Sequence, residues 1–561
     1  MVLAACASQP LRWTPETVAT PGTPPAGIEK AAPLRERAEA VRPDAAEQDK
    51  PVPLSRDAAL LTALLQNRSL EVARLGPQIG DTYIPEARAA FDPSISASIS
   101  TGRDRRLLSS TGSSTLGSGS TPSIIGTGAG QLAALQATIG ALEQMLAAAK
   151  ALDESGRPVQ DTKDTQGDIT VQEYLPTGAQ VYLRGAASAT DTNMTANDYQ
   201  GSWSVGFNQS LLRGAGARVN LISLKQAGNR AAQSRHAFRG AVLETTHQVE
   251  LAYWNLVLAY EVFKIREFAL TLAEEQLKRD EDRLAVGKAI EGDVMASRAE
   301  RATRTADLYD ARAGVRNQTI ALIHLLNPDL ADPWNLTLEP TNPPEAAQAP
   351  VSPDESVDLA RKYRPELAEA RLDLANADLE TTRAKNGLLP QLDVVGSYGR
   401  MSRDESKSGI TKYLDDGDFE NYRIGLEFQT PIFRRAEEAR HKRARLLQTQ
   451  AERTVASVEQ AIEAEVRQAA VEVEKQWERI GATHEAVESR TEQLRVAQGR
   501  NEVGKTTNLD VLIVQRDLVQ SKLDDVTARI EYVEALTSLY AAEGTLLERR
   551  GIALESDEDE S

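Results

Sequence analysis

Apolar positions along this chain follow two periods, one of about 3.6 residues and one of 2, and the switches between them divide the sequence. After Ser55, a fitting N-cap, Ala58, Leu61, Leu64 and Leu65 fall at helical spacing. Helical character continues from Leu70 to Ala90, with an irregularity expected at Gly76-Pro77, and Pro93 ends it. Ser94 to Ser100 then alternates strictly, as a strand with one apolar and one polar face. The alternation returns from Ser202 to Leu211, where Trp203, Val205 and Phe207 oppose Ser202, Ser204, Gly206 and Asn208. It returns again over Gln391 to Ser397 and Tyr422 to Gln429, with Tyr422, Ile424, Leu426 and Phe428 facing away from Arg423, Gly425, Glu427 and Gln429. Two readings fit such strands: half-buried soluble hairpins, or a wall between lipid and lumen.

The helical remainder is long. Ala217 to Val286 and Ala436 to Val503 contain no proline; at about 1.5 Å per residue each extends roughly 100 Å if unbroken. Returning arms run from Gly292 to Asn327 and from Leu509 to Leu547. In the second arm Leu509, Leu512, Arg516, Val519, Leu523, Val526, Ile530 and Val533 keep a 3-4 spacing that continues to Leu547, a coiled-coil seam. The first arm carries Ala299, Ala302, Ala306 and Ala313 instead, which predicts close approach of a neighbour.

These elements occur twice. Ser55, Asp57, Leu70, Ala73, Arg74 and Pro93 recur as Ser352, Asp354, Leu367, Ala370, Arg371 and Pro390. Between the long helices and their return arms the match is denser: Glu275, Gln276, Leu277, Arg283, Val286, Gly287, Lys288, Asp293 and Val294 recur as Glu492, Gln493, Leu494, Arg500, Val503, Gly504, Lys505, Asp510 and Val511. In each copy the glycine stops one helix and the polar residues before the aspartate start the next. The offset between copies is 297 (367 − 70) before the strands and 217 (504 − 287) after them, so the first copy carries 80 extra residues between its two strands. That insertion, 102–198, contains a Gly/Ser-rich run at 111–127, an amphipathic helix at Gln131 to Leu152, and an alternating stretch at Gly178 to Ala189. A surface loop and an added pair of strands both fit it, and the loop is the expectation adopted. The organisation is then a Pro-rich linker at 1–53, a first repeat at 54–327, a connector at 328–353, a second repeat at 354–547 and an acidic tail at 548–561.

Composition narrows the function. The net charge of −18 argues against a nucleic-acid partner, whose binding surfaces are basic. No apolar run reaches the length of a transmembrane helix, which does not bear on a β-barrel. No catalytic set or metal cluster is expected: the five histidines are dispersed and read as surface helix residues, and Arg213-Gly214-Ala215-Gly216 reads as a strand-to-helix corner. The lone cysteine, Cys6, follows Leu3-Ala4-Ala5 in the form of a lipoprotein processing site, although only five residues precede it. Asp293 and Asp510 open helices, where a carboxylate serves as a dipole-favoured cap. If the helices close into a tube, the same carboxylates form rings that favour cations.

Taken together, the chain resembles TolC-type outer-membrane efflux and secretion channel proteins, lipoprotein-like subgroup, from about Leu54 to Leu547. Val286-Gly287 with Asp293-Val294, Val503-Gly504 with Asp510-Val511-Leu512, and the strand ends Gln209-Ser210-Leu211-Leu212 and Gln429-Thr430-Pro431-Ile432-Phe433 carry the resemblance. It implies an α+β membrane protein, a homotrimer whose outer-membrane β-barrel takes about four strands from each protomer, about twelve in all. A long periplasmic α-helical coiled-coil barrel, built from two internal repeats, continues it. It implies an exit duct, not an enzyme, without cofactor or metal, for a tripartite efflux pump or a type I secretion system. The implied partners are a periplasmic adaptor (membrane fusion) protein, an inner-membrane pump and outer-membrane lipid. Val286, Gly287, Lys288, Val503, Gly504 and Lys505 match the adaptor-docking tips, Asp510 and Asp293 the pore entrance, and Cys6 the lipid attachment of acylated members. A second acidic position of some members is Ile513 here, and their latch positions are Asn501 and Thr506. The competing reading is a structural coiled-coil outer-membrane lipoprotein without a pore.

Overall fold

The structure, a computed structural model, describes residues 51–107, 159–193, 196–328, 333–344, 347–406, 420–503 and 505–553. Cys6, Gly504 and the helix expected at Gln131 to Leu152 lie outside those residues. In chain order the elements are β1 (Val52–Leu54), α1 (Arg56–Gln66), α2 (Arg68–Arg88), β2 (Ser94–Leu107), β3 (Val159–Tyr174), β4 (Ala179–Thr192), β5 (Asp198–Ser210), α3 (Ala217–Asn220), α4 (Ile222–Ala285) and α5 (Glu291–Leu326). They continue as β6 (Leu338–Pro340), α6 (Pro353–Tyr363), α7 (Pro365–Gly387), β7 (Gln391–Asp404), β8 (Glu420–Gln429), α8 (Arg435–Glu502), α9 (Asn508–Ala542) and α10 (Leu546–Arg549). Helix lengths run in two series, 11, 21, 64 and 36 residues for α1, α2, α4 and α5, against 11, 23, 68 and 35 for α6, α7, α8 and α9.

The chain divides into two compact units. The helical unit comprises the described parts of Met1–Ile84, Gln226–Asp378 and Leu447–Ser561. Ser55 caps α1 by accepting the Ala58 N–H, so Leu60 and Leu61 turn inward onto Tyr253, Leu256, Leu322, Ile323 and Ile530. A second core gathers Val357, Ala360 and Leu367 against Val466, Tyr532 and Leu539. The seam of α9 is buried at Leu512, Val519, Leu523, Ile530 and Thr537, and Leu547 of α10 is buried beyond it, whereas Leu509 stays exposed and Arg516 reaches Glu300 at 3.2 Å. The alanines of α5, Ala299, Ala302, Ala306 and Ala313, face outward within this chain. The expected break at Gly76-Pro77 is absent, and α2 runs through it unbroken. Pro77 removes one helical N–H there, the one that would have met the carbonyl of Ala73, a partly exposed residue.

One buried ion pair fixes the chain's C-terminal turn to α4. Glu250 has no exposed surface and accepts from Arg550 at 2.8 Å and from the Thr537 hydroxyl at 3.1 Å. Removing Arg550 would strand a buried carboxylate, which typically costs about 3–5 kcal/mol.

The strand unit comprises the described parts of Pro85–Lys225 and Leu379–Leu446. It is one antiparallel sheet in the order β2-β3-β4-β5-β7-β8. This corrects the expectation of a loop at 102–198: its described residues include β3 and β4, inserted between the strands of the first repeat, so the sheet has six strands instead of four. The backbone supplies the reason. Every residue from Val159 to Gln172 pairs with β2, so the added segment satisfies its amide groups in the wall.

Candidate channel wall and hairpin tips

The register of the six strands sorts their side chains onto two faces. Ile95, Ala97 and Ile99 stand opposite Val171, Ile169 and Gly167. Those stand opposite Leu183, Gly185 and Ala187, and Leu183, Gly185 and Val181 meet Val205, Trp203 and Phe207. The same row continues through Tyr398, Arg400 and Gly396 to Tyr422, Glu420 and Ile424, with Val394 on Leu426 and Leu392 on Phe428. The middle of this face is therefore apolar on every strand and largely solvent-exposed; Ile99 is 84% and Ile424 81% exposed. Charge enters it at the ends: Glu173 stands opposite Val181 at one, and at the other Arg103 pairs with Asp161 at 2.8 Å and Arg400 with Glu420 at 3.5 Å. The opposite face is polar: Ser96, Ser98 and Ser100 on β2, Gln166, Asp168 and Thr170 on β3, Arg184 on β4, Ser204 and Asn208 on β5, and Arg423 and Glu427 on β8. A sheet with one continuous dry face and one wet face separates a lipid phase from an aqueous lumen.

The hairpin tips belong to the helical unit. At the first, Gly287 adopts φ +72°, a conformation that favours glycine, and turns the chain out of α4. Its N–H bonds the Leu284 carbonyl at 3.0 Å, and the Lys288 N–H bonds the Arg283 carbonyl at 2.8 Å. That pair of bonds is a Schellman cap. At the second tip the Lys505 N–H makes the matching bond to Arg500 at 2.8 Å. Val286 and Val503 project into solvent, 68% and 67% exposed, and Lys288 and Lys505 are exposed beside them.

The two aspartates do different work. Asp510 Oδ2 accepts from the Thr507 hydroxyl at 2.7 Å, the Thr507 N–H at 3.0 Å and the Thr506 hydroxyl at 2.9 Å. The Thr507 hydroxyl, with the backbone N–H and Thr506 adding to it, holds the Asp510 carboxyl below its ordinary pKa. Asp293 receives only the Ile290 N–H, at 3.3 Å, because isoleucine offers no capping hydroxyl. Asp510 is exposed and Asp293 partly so. An open groove of ≈ 720 Å³ runs beside Asp510, and Glu488, Glu492 and Arg500 line it as well.

Beneath the tips lies a buried polar cluster. Asp280 is 1% exposed and accepts from Ser297 at 2.6 Å and Gln276 at 3.1 Å. Gln276 also donates to Asn508 at 2.9 Å, and Asn508 donates to Ser297 at 3.0 Å. Arg283 adds bonds to the side chain and the carbonyl of Asn501. These contacts tie the first hairpin to the second across more than 200 residues of sequence. Sequence reasoning passed over Asp280, Ser297 and Asn508; the only signal was the i, i+4 spacing of Gln276 and Asp280 on one helix face.

Among the described residues no group of three or more His, Cys, Asp or Glu could hold a metal ion. The histidines are not all at the surface as expected. His247 is half-buried, 3.1 Å from the Ser538 hydroxyl, and burial pushes its pKa down. No helix among the described residues is long and apolar enough to cross a membrane.

Residues 356–545 match the family model for outer membrane efflux protein. The chain is 27% identical over 398 residues to the outer membrane efflux protein BepC of Brucella suis, covering 68% of this chain and 80% of that one. It is 25% identical over 381 residues to the outer membrane protein TolC of Escherichia coli, covering 66% of this chain and 74% of TolC. Among solved structures, the CmeC outer membrane channel of Campylobacter jejuni superposes with a TM-score of 0.58 at 15% identity, covering 88% of this chain and 86% of that chain. The open-state MtrE outer membrane channel of Neisseria gonorrhoeae does so with a TM-score of 0.58 at 19% identity, covering 88% and 89%.

Proposed function

We propose that the chain is a member of the outer-membrane efflux protein family and that it is the exit duct of a tripartite efflux pump or a type I secretion system. It assembles as a homotrimer. Its strands line an outer-membrane barrel, and its helices form the periplasmic conduit. The protein does no chemistry on its cargo; an inner-membrane pump supplies the energy through a periplasmic adaptor. The observation that carries this reading is the six-stranded sheet, dry on one face and wet on the other. A fibrous coiled-coil lipoprotein has no use for such a wall.

Within this reading the tips dock the adaptor, through Val286, Gly287 and Lys288 at one and Val503, Gly504 and Lys505 at the other. Exposed valines beside exposed lysines support that role, since an apolar knob flanked by charge suits a reversible partner. Asp510 and Asp293 lie at the pore entrance. Asp510 carries the selectivity, because it is exposed and its bonds to Thr507 and Thr506 favour the ionised carboxylate. Cys6 is the site of acylation, which holds the linker at 1–53 to the membrane.

Planar-bilayer conductance of the purified protein tests the proposal. The wild type should form cation-preferring channels, and Asp510→Ala should lower the preference severalfold with the channel intact. Absence of any channel would overturn the duct. An unchanged preference in Asp510→Ala would remove Asp510 from selectivity.

A further inference from the structure

The sheet is finished on its faces and open at its edges. Among the described residues, β2 and β8 each have one neighbouring strand, so each leaves a row of backbone N–H and C=O groups unpaired. The apolar band runs to both edges, through Ile95 and Ile99 on β2 and Ile424 and Leu426 on β8. A strand edge cannot be left bare at hydrocarbon depth, where no water is present to satisfy its backbone groups. Something must pair with both edges, and it must present the same dry and wet faces.

Another copy of this chain meets that requirement. The six strands alternate in direction, so β2 and β8 run opposite ways. The β8 edge of one copy can therefore join the β2 edge of the next in the antiparallel pattern used throughout the sheet. A head-to-tail contact of this kind closes into a ring when the rotation between copies divides a full turn. We infer that each copy contributes all six strands, joined β8 to β2, and that three copies close a barrel of eighteen strands, not about twelve. The inference rests on the homotrimer of the proposed function, and it assigns the edge surfaces and the width of the exit.

The added hairpin cannot be set aside as decoration on a narrower wall. β3 pairs with β2 from Ser94–Gln172 to Leu107–Val159, and β4 pairs with β5 from Ala179–Gln209 to Thr190–Asp198. For β2 to reach β5 directly, both ladders would have to open. The hairpin also continues both faces, with Ile169, Val171 and Leu183 in the apolar band and Gln166, Asp168 and Arg184 on the polar side. Barrel diameter grows roughly linearly with strand number, so the exit is about one and a half times as wide as a twelve-stranded one.

Electron cryo-microscopy of the detergent-purified protein counts the strands directly. Polyethylene glycols of graded size, added from the outer side of a planar bilayer, measure the mouth. Eighteen strands are expected in the full chain, and its mouth should admit larger polymers than that of a variant in which a short turn replaces 108–197. That variant joins β2 to β5 with directions still alternating. A trimer with a twelve-stranded wall and β3 and β4 outside it would overturn the inference and leave the homotrimeric duct standing. An assembly of some other copy number, or no channel, would overturn the proposed function and the strand count with it.

Discussion

At the scale of single residues, the second tip is the better-built start of a helix. Thr507 and Asp510 exchange hydrogen bonds in both directions, and Thr506 adds another, whereas Ile290 offers Asp293 only a backbone N–H. The lowered pKa of Asp510 fixes the pH dependence of that cap. A carboxyl whose folded pKa lies below its unfolded value of about 3.9 contributes its full stabilisation above the unfolded value. The contribution is lost only as pH falls through the lower folded value. The cap at α9 therefore persists throughout the neutral and mildly acidic range. Thr507→Ala removes the leading partner, so Asp510 should return toward its ordinary pKa. Amide exchange at the start of α9 should rise severalfold at pH 7. Hydrogen exchange followed by mass spectrometry reads this directly, and exchange equal to wild type would show that the cap does not hold the turn.

At the scale of elements, much was legible in the sequence and the remainder has physical reasons. β2, β5, β7 and β8 showed their alternation because their central residues sit in the apolar band, as Trp203, Val205 and Phe207 do. β3 did not, because Asp161 and Lys163 occupy the apolar-face register toward the end of the strand. There they meet Arg103 and Asp191 instead of lipid, which leaves a short readable stretch around Ile169 and Val171. The Asp280, Ser297 and Asn508 cluster was illegible for another reason: its burial depends on partners distant in sequence. Packing between β4 and β5 offers a check on the added strands. The Tyr182 ring lies over Gly206 so closely that any Cβ there would overlap it. Gly206→Val should destabilise the sheet by about 1–3 kcal/mol through overpacking. The oligomer of the proposed function, followed on gels after heating, should then dissociate at a lower temperature than in the wild type, and adding Tyr182→Ala should recover part of the loss. A wild-type dissociation temperature in Gly206→Val would mean that the ring does not pack there.

At the scale of the whole molecule, one chain leaves surfaces that only an assembly can finish. The helical unit buries its own cores and clamps its C-terminal turn through Glu250 and Arg550. Among its described residues the strand unit has no comparable interior: Ile95, Ile99, Tyr422, Ile424 and Leu426 are all largely exposed, and two sheet edges lack a neighbour. Lipid or detergent can cover the face, but neither can pair with the edges. Folding of the sheet is thereby linked to association, and linkage makes apparent stability depend on protomer concentration. In detergent solution, the melting midpoint of strand circular dichroism should fall on tenfold dilution, and strand signal and oligomer should vanish together. The helical signal draws on cores within one chain, so it should depend less on dilution. A dilute monomer that keeps the strand signal of the assembled protein would show that a single chain can satisfy its own edges, and the linkage argued here would fail.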